Sequence, residues 1–203
     1  MPGLLVTAFG PFPGMPVNPS EAVARRLVRS PRLVLAAGGP PKLRILPTTY
    51  AAISTHLDPA LAEAPAAVLM IGVAGRSRRV RVEMRAVNRA SRLFPDAGGR
   101  LAARLTLEPD GPYRRPAGPG AAKALALLAR RIPVRPSRDA GRYLCNAAYY
   151  RALAGPVPVL FLHIPRPPRS GAPAWADGLA AAFAEVAVLL LREGRGRAGA
   201  HPR

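Results

Sequence analysis

The sequence predicts an α/β domain built on a largely parallel sheet. Three observations lead there. Short apolar runs, Leu4-Leu-Val-Thr-Ala8, Ala67-Val-Leu-Met-Ile-Gly72 and Val157-Pro-Val-Leu-Phe-Leu-His163, have the length of strands buried on both faces. Stretches of helical pattern separate them, and that alternation is the mark of strand–helix–strand units. A length of 203 residues suits one domain with a large core that needs no covalent staples.

Taken in order, residues 4–8 read as the first strand, followed by a Phe9-Gly-Pro-Phe-Pro-Gly14 turn. Asn18-Pro-Ser-Glu21 then starts a helix to about residue 29: Asn18 or Ser20 caps it, Pro19 suits an early helical position, and Glu21 suits the positive end. Residues 43–46 form a second strand stopped by Pro47, residues 49–63 a helix, and residues 67–72 a fully buried strand. Over residues 80–87, Val80, Val82, Met84 and Ala86 alternate with Arg81, Glu83 and Arg85, the period of a half-buried strand with a polar face. Residues 89–118, rich in Gly, Pro and Arg, read as an irregular excursion. A helix over 121–131, a short strand from Val134, a helix over 145–153, a strand over 157–163 and an amphipathic helix over 175–192 complete the set. Residues 1–193 are expected to be one catalytic domain, and residues 194–203 a disordered basic tail.

The formal charge of +19 invites a nucleic-acid reading. All but two of the 30 basic residues (Lys42 and Lys123) are arginine, and Ala, Pro and Gly are also heavily used, a pattern of codon bias rather than of a basic groove. The arginines are dispersed, aromatic residues are few, and no nucleic-acid-binding signature is visible, so no specific nucleic-acid partner is expected. No apolar run approaches the roughly 20 residues of a membrane span, and the N-terminus lacks the basic and apolar regions of a signal peptide. A single cysteine makes no internal disulfide, which suits a reducing cytoplasm. The scattered histidines offer no metal-ligand spacing, and no phosphate-binding fingerprint occurs, so no cofactor is expected. A homo-oligomer is compatible with the sequence.

The chemistry-bearing candidates are few. Cys145 falls where a helix starts, after the Asp139-Ala-Gly141 turn. Unpaired amides and the helix dipole at such a point favour a thiolate and can hold an oxyanion. The alternative is a small buried hydrophobe. His163 ends a buried strand and should emerge at the sheet's carboxyl edge, whereas His56 lies on a surface-type helix and His201 in the tail. It is the one good base for the thiol, or else a packed histidine bonded to backbone. Glu83 either orients that imidazole or lies on a solvated strand face, with Asp139 and Asp96 as its main competitors.

Several segments together resemble pyroglutamyl peptidase I, the pyrrolidone-carboxylate peptidases. They are Thr7-Ala-Phe-Gly-Pro-Phe12, Asn18-Pro-Ser20, Gly72-Val-Ala-Gly75, Glu83-Met-Arg-Ala-Val-Asn88, Asp139-Ala-Gly-Arg-Tyr-Leu-Cys145-Asn146 and His163-Ile-Pro165. The resemblance covers about residues 4–190 and is most specific around Cys145 and His163. It implies a three-layer α/β/α sandwich and a cysteine exopeptidase that removes N-terminal pyroglutamyl residues from peptides. By motif, Cys145 would be the nucleophile, His163 the general base and acid, and Glu83 the orienting carboxylate. Phe9, Phe12, Asn18, Val73 and Tyr143 would surround the lactam. Many bacterial members carry Gln where this chain has Val73, and that amide helps hold the lactam; Val73 is similar to the vertebrate-type branch. In the loop after Asn88, Pro95 and Asp96 fit the family pattern, while Arg92 is one place out of register and receives no role. Two other readings stand beside this one: a related amidase with altered N-capped or lactam substrates, motivated by Val73, and a non-enzymatic basic module that binds polyanions.

Overall fold

A computed structural model describes residues 3–199 of the chain. The first apolar run forms β1 (Leu4–Phe9), buried throughout. The Asn18 side chain accepts from the Ser20 N–H to cap α1 (Pro19–Val28), with Pro19 in its first turn. A helix not expected from the sequence, α2 (Pro31–Ala37), follows at once. Its punctuation is visible in hindsight, since Ser30-Pro31 opens it and Gly38, at a φ of 74°, closes it. Seven residues are too few to show a period, and only Leu33 is buried while Leu35 is 85% exposed. After β2 (Lys42–Leu46), the next helix widens into a π turn at Ile53–Leu57 before α3 (Asp58–Ala62). Pro59 has no N–H for the carbonyl four residues back, and the wider turn lies where that bond is missing.

Strand β3 (Ala67–Val73) matches its apolar run. The strand expected over 80–87 is instead two, β4 (Val80–Glu83) and β5 (Arg85–Val87). Val80 and Val82 pack into one core and Ala86 into the other, so the alternation continues through a break where the chain changes sides of the sheet. β5 pairs antiparallel with β6 (Arg114–Pro116) as a separate ribbon within the long excursion. The chain finishes with α4 (Gly120–Ala129), β7 (Val134–Ser137), α5 (Leu144–Ala152), β8 (Val159–Ile164) and α6 (Ala172–Gly199).

The main sheet has the order β2-β1-β3-β8-β4-β7. Its first four strands are parallel; β4 runs antiparallel to β8, and β7 parallel to β4. Helices cover both faces, giving the three-layer α/β sandwich. Val6, Leu69, Ile71, Leu160 and Leu162 face the layer that contains α1, α2, α4 and α6. Leu5, Phe9, Val68, Met70, Val159 and Phe161 face α5 and the 51–62 helical segment. α6 is long and apolar enough to cross a membrane by length and composition, yet 56% of its most apolar stretch is buried inside the fold, as a core helix requires.

The tail expectation needs correction. Residues 194–199 continue α6, while 200–203 and His201 with them lie outside the described residues. The glycine there is a packing residue: a Cβ on Gly194 would meet the Ala66 carbonyl oxygen at 1.8 Å. Arg195 donates to Ala36 O at 3.0 Å and Ala37 O at 2.9 Å, placing a cation against the negative end of α2. Gly194→Ala gives a test by sign. On a free helix end it would stabilise by about 1 kcal/mol. Packed against Ala66 it should destabilise by roughly 1–3 kcal/mol, measured by thermal or urea unfolding.

Candidate active site

Strand periodicity brings the candidate residues to one face. Gly72 pairs with His163 across β3 and β8, and Arg81 is opposite His163 across β8 and β4. Residues two apart share a face, so Phe161 and His163 on β8, Gly72 on β3, and Arg81 and Glu83 on β4 point the same way as Phe9 on β1. His163 is 4% exposed and Glu83 0%, which removes the solvated-face reading of Glu83. His163 Nδ1 lies 2.8 Å from Glu83 Oε1. An ionised carboxylate accepts only, so the Nδ1–H tautomer is fixed and Nε2 is left free to take a proton. The Arg81 Nε lies 3.2 Å from the same Glu83 oxygen. Phe161 packs beside the imidazole, ring centres 4.7 Å apart. Tyr149 donates its hydroxyl to the Glu83 carbonyl at 2.9 Å, tying α5 to β4.

Cys145 is the second residue of α5, after Tyr143 at the cap position, where no side chain answers the first helical N–H groups. Its sulfur lies over Gly72. A Cβ there would be 3.0 Å from Cys145 Sγ and 2.8 Å from the Phe161 ring, so only glycine lets the thiol settle beside the His163 rung. Burial pushes the thiol up to about 12, and the negative charge of Glu83 adds to this; the backbone N–H groups of Val73 and Cys145 itself pull the other way. The expectation of a thiolate favoured by the helix start is therefore corrected. Two amides and a partial dipole do not outweigh desolvation and a nearby carboxylate. Ionising a thiol so placed calls for a base, and the imidazole on this face of the sheet is His163, paired with the Gly72 over which the sulfur lies.

The carboxylates that competed with Glu83 are accounted for. Asp96 is buried and accepts from the Tyr50 N–H at 3.0 Å and from the Gly98 and Arg100 N–H groups at 2.9 Å. Burial works against its charge, but those amides and Arg100 together hold its carboxyl below the usual Asp range. Asp139 accepts from Gly141 N–H at 2.9 Å in the turn before α5.

The residues expected around a ligand divide. Phe9 is buried and packs on Phe161 at 6.3 Å between ring centres, a floor beneath the site. Phe12 is half-buried in a bridge with Met15. Asn18 accepts from Ser20 N at 3.1 Å and Ser20 Oγ at 2.8 Å and donates to Gly10 O at 2.9 Å, so it shapes the turn after β1. Val73 brings its backbone N–H to the sulfur, while its side chain packs into the core on the opposite face of the sheet. Tyr143 donates to Pro95 O at 2.8 Å and meets Tyr50 edge-on, tying the loop after Asn88 to the start of α5.

Other supports were not singled out from the sequence. Asn146, fully buried, accepts from Val87 N at 2.9 Å and donates to Val87 O at 2.8 Å and Arg89 O at 3.0 Å, which clamps the start of α5 to β5. Asn88 gathers Leu107, Glu108 and Gly111 and so folds the excursion back on itself. The one advance sign of Asn146 was its place beside Cys145. Arg81 was legible only through its two-residue spacing from Glu83. A surface cavity of about 700 Å³ lies along α1, lined by Pro11, Val17, Asn18 and Arg25; it does not include Cys145, His163 or Glu83.

The arrangement gathers, around the Gly72–His163 pair, a thiol with two backbone N–H groups at its sulfur and an imidazole whose Nδ1 is held by a carboxylate. Glu83→Gln separates the two effects of that carboxylate. Removing its charge lowers the Cys145 thiol, so alkylation by iodoacetamide at pH 8 should speed up. Any turnover that depends on an oriented His163 should fall by roughly a hundredfold or more. Alkylation that slows together with turnover would contradict the assignment.

Comparison with known proteins gives concordant matches. A family model for pyroglutamyl peptidase matches residues 3–187. The pyrrolidone-carboxylate peptidase of Gloeobacter violaceus is 35% identical over 169 residues, 80% of each chain. That of Deinococcus radiodurans is 35% identical over 174 residues, 81% of this chain and 78% of its own. The crystal structure of pyrrolidone carboxyl peptidase from Thermus thermophilus superposes with a TM-score of 0.78 at 35% identity, covering 90% of this chain and 98% of that one.

Proposed function

This chain belongs to the pyroglutamyl peptidase family, and we infer that it removes N-terminal pyroglutamyl residues with Cys145 as nucleophile, His163 as base and then acid, and Glu83 as orienting group. The observation that carries the assignment is the buried His163–Glu83 contact of 2.8 Å on the same rung as Gly72, against whose missing side chain the Cys145 sulfur packs.

His163 Nε2 takes the thiol proton as the sulfur attacks the pyroglutamyl carbonyl carbon. The charge that develops on the carbonyl oxygen is met by the amides of Cys145 and Val73, which already converge on the sulfur. Imidazolium then protonates the leaving amine, the peptide departs, and a thioester remains. Water gives a proton to His163 as it attacks that thioester, and thiol and pyroglutamate are released. Glu83 keeps the imidazole in one tautomer and stabilises its charged form in both halves.

The substrate end is a lactam with no charged amine. Aromatic walls from Phe9, Phe12 and Tyr143 suit it, whereas a free ammonium would have to be desolvated there without a partner. The lone thiol suits a reducing cytoplasm. The packing of the Val73 side chain on the opposite core supports ordinary over altered lactam preference.

Hydrolysis of a pyroglutamyl arylamide, set against alanyl and prolyl arylamides, tests the reading. Only the lactam substrate should be cleaved, and Cys145→Ala should abolish cleavage. Folded protein that turns over no N-terminal lactam would sink it. Across a panel of lactam substrates, Val73→Gln should leave the order of preference unchanged; a reordered panel would return the side chain at 73 to the pocket.

A further inference from the structure

Arg81 has no part in the chemistry above, yet its guanidinium reaches both Glu83 and the turn that leads into α5. It is opposite His163 in the β4–β8 register and two residues from Glu83 on the same face. Nε lies 3.2 Å from Glu83 Oε1, the oxygen that also meets His163. Nη2 donates to Ser137 Oγ at the end of β7 and to the Asp139 carbonyl. Asp139 belongs to the turn that leads into α5 and holds Gly141 through its carboxylate. One planar side chain therefore joins the carboxylate of the imidazole pair to the segment that delivers the thiol. The other Glu83 oxygen, Oε2, is buried with no hydrogen-bond partner among the described residues, so the carboxylate is answered at Oε1 alone.

We propose that Arg81 is a positioning residue for the reaction, bracing Glu83 and the Ser137–Asp139 turn so that the His163–Glu83 pair and Cys145 are held in one frame. A guanidinium suits this role because Nη2 makes directed bonds to Ser137 and Asp139 while the fixed charge at Nε, which has no hydrogen-bond partner among the described residues, faces Glu83 as an ion pair. Arg81 also balances the charge of Glu83. Among the described residues, the charged or titratable groups on the His163–Glu83 pair are Arg81 from β4 and, within reach of the Glu83 charge, Cys145 and Tyr149 from α5; β3 places Gly72 opposite His163. The Glu83 charge raises the Cys145 thiol. An unbalanced Glu83 would raise it further and make the sulfur harder to ionise.

The kcat part of the test rests on the peptidase reading, whereas the alkylation part does not. In Arg81→Met, the rate of Cys145 alkylation by iodoacetamide at pH 8 should fall by about threefold or more. With the lactam arylamide, kcat should fall by roughly tenfold while KM stays within about twofold, because Arg81 meets no substrate. Arg81→Lys keeps the charge and loses the fork, so alkylation should return to the wild-type rate while kcat stays low. In the Glu83→Gln background, Arg81→Met should no longer slow alkylation, since the charge it balanced is gone. Wild-type kcat and alkylation in Arg81→Met would overturn the proposal, as would an equal slowing with and without Glu83. If Arg81→Met fails to fold by circular dichroism, Arg81→Lys decides: wild-type kcat in that variant overturns the brace. If the wild-type protein cleaves no lactam substrate, the peptidase reading fails, and the alkylation series alone still decides the role of Arg81.

Discussion

The pairing of Gly72 with His163 across β3 and β8 determines where everything else in the site can go. It places a residue with no side chain beside one with a ring, on the face covered by α5. The space above Gly72 admits the Cys145 sulfur, with Phe161 closing one side. A register slip of one residue would turn His163 to the opposite face and bring a side chain under the sulfur. The apolar neighbours of that rung, Met70, Ile71, Phe161 and Leu162, are fully buried, so the register is held by burial on both faces of the sheet.

Around that rung, each reacting group is fixed by something else. Glu83 stands on a strand that runs against β8, which brings it diagonally to His163 Nδ1. Tyr149 and Asn146, about one turn apart on α5, secure that helix to β4 and β5. Tyr143 and Pro95 join the irregular excursion to the helix start. Long-range side-chain bonds to backbone thus do at the site what regular packing does in the cores. This suits a site assembled from the ends of elements far apart in sequence.

The fold was legible where burial has a period. β1, β3 and β8, the cap at Asn18 and the start of α5 all follow from short-range pattern. Where one physical cause imitated another, the reading failed. The alternation over 80–87 ran through a crossing of the sheet. The glycines near 194 looked like a loose tail, but Gly194 is the condition for close contact with Ala66. α2 was too short for any period. At the site, residue types and motif order led to Cys145, His163 and Glu83, while partners could not be read. The Asn18 side chain bonds within the turn after β1 and the Val73 side chain packs on the far core, and neither direction can be read from residue type, because at the end of a strand it depends on tertiary register.

The crowding around Cys145 has a consequence outside catalysis. Peroxide attacks the thiolate, and a sulfur that stays protonated until a base accepts its proton exposes little of that form. The desolvation and the Glu83 charge that hold the thiol back from ionising are the same effects that its activation must overcome. The chain's only thiol is thus set where packing and charge both work against its ionised form.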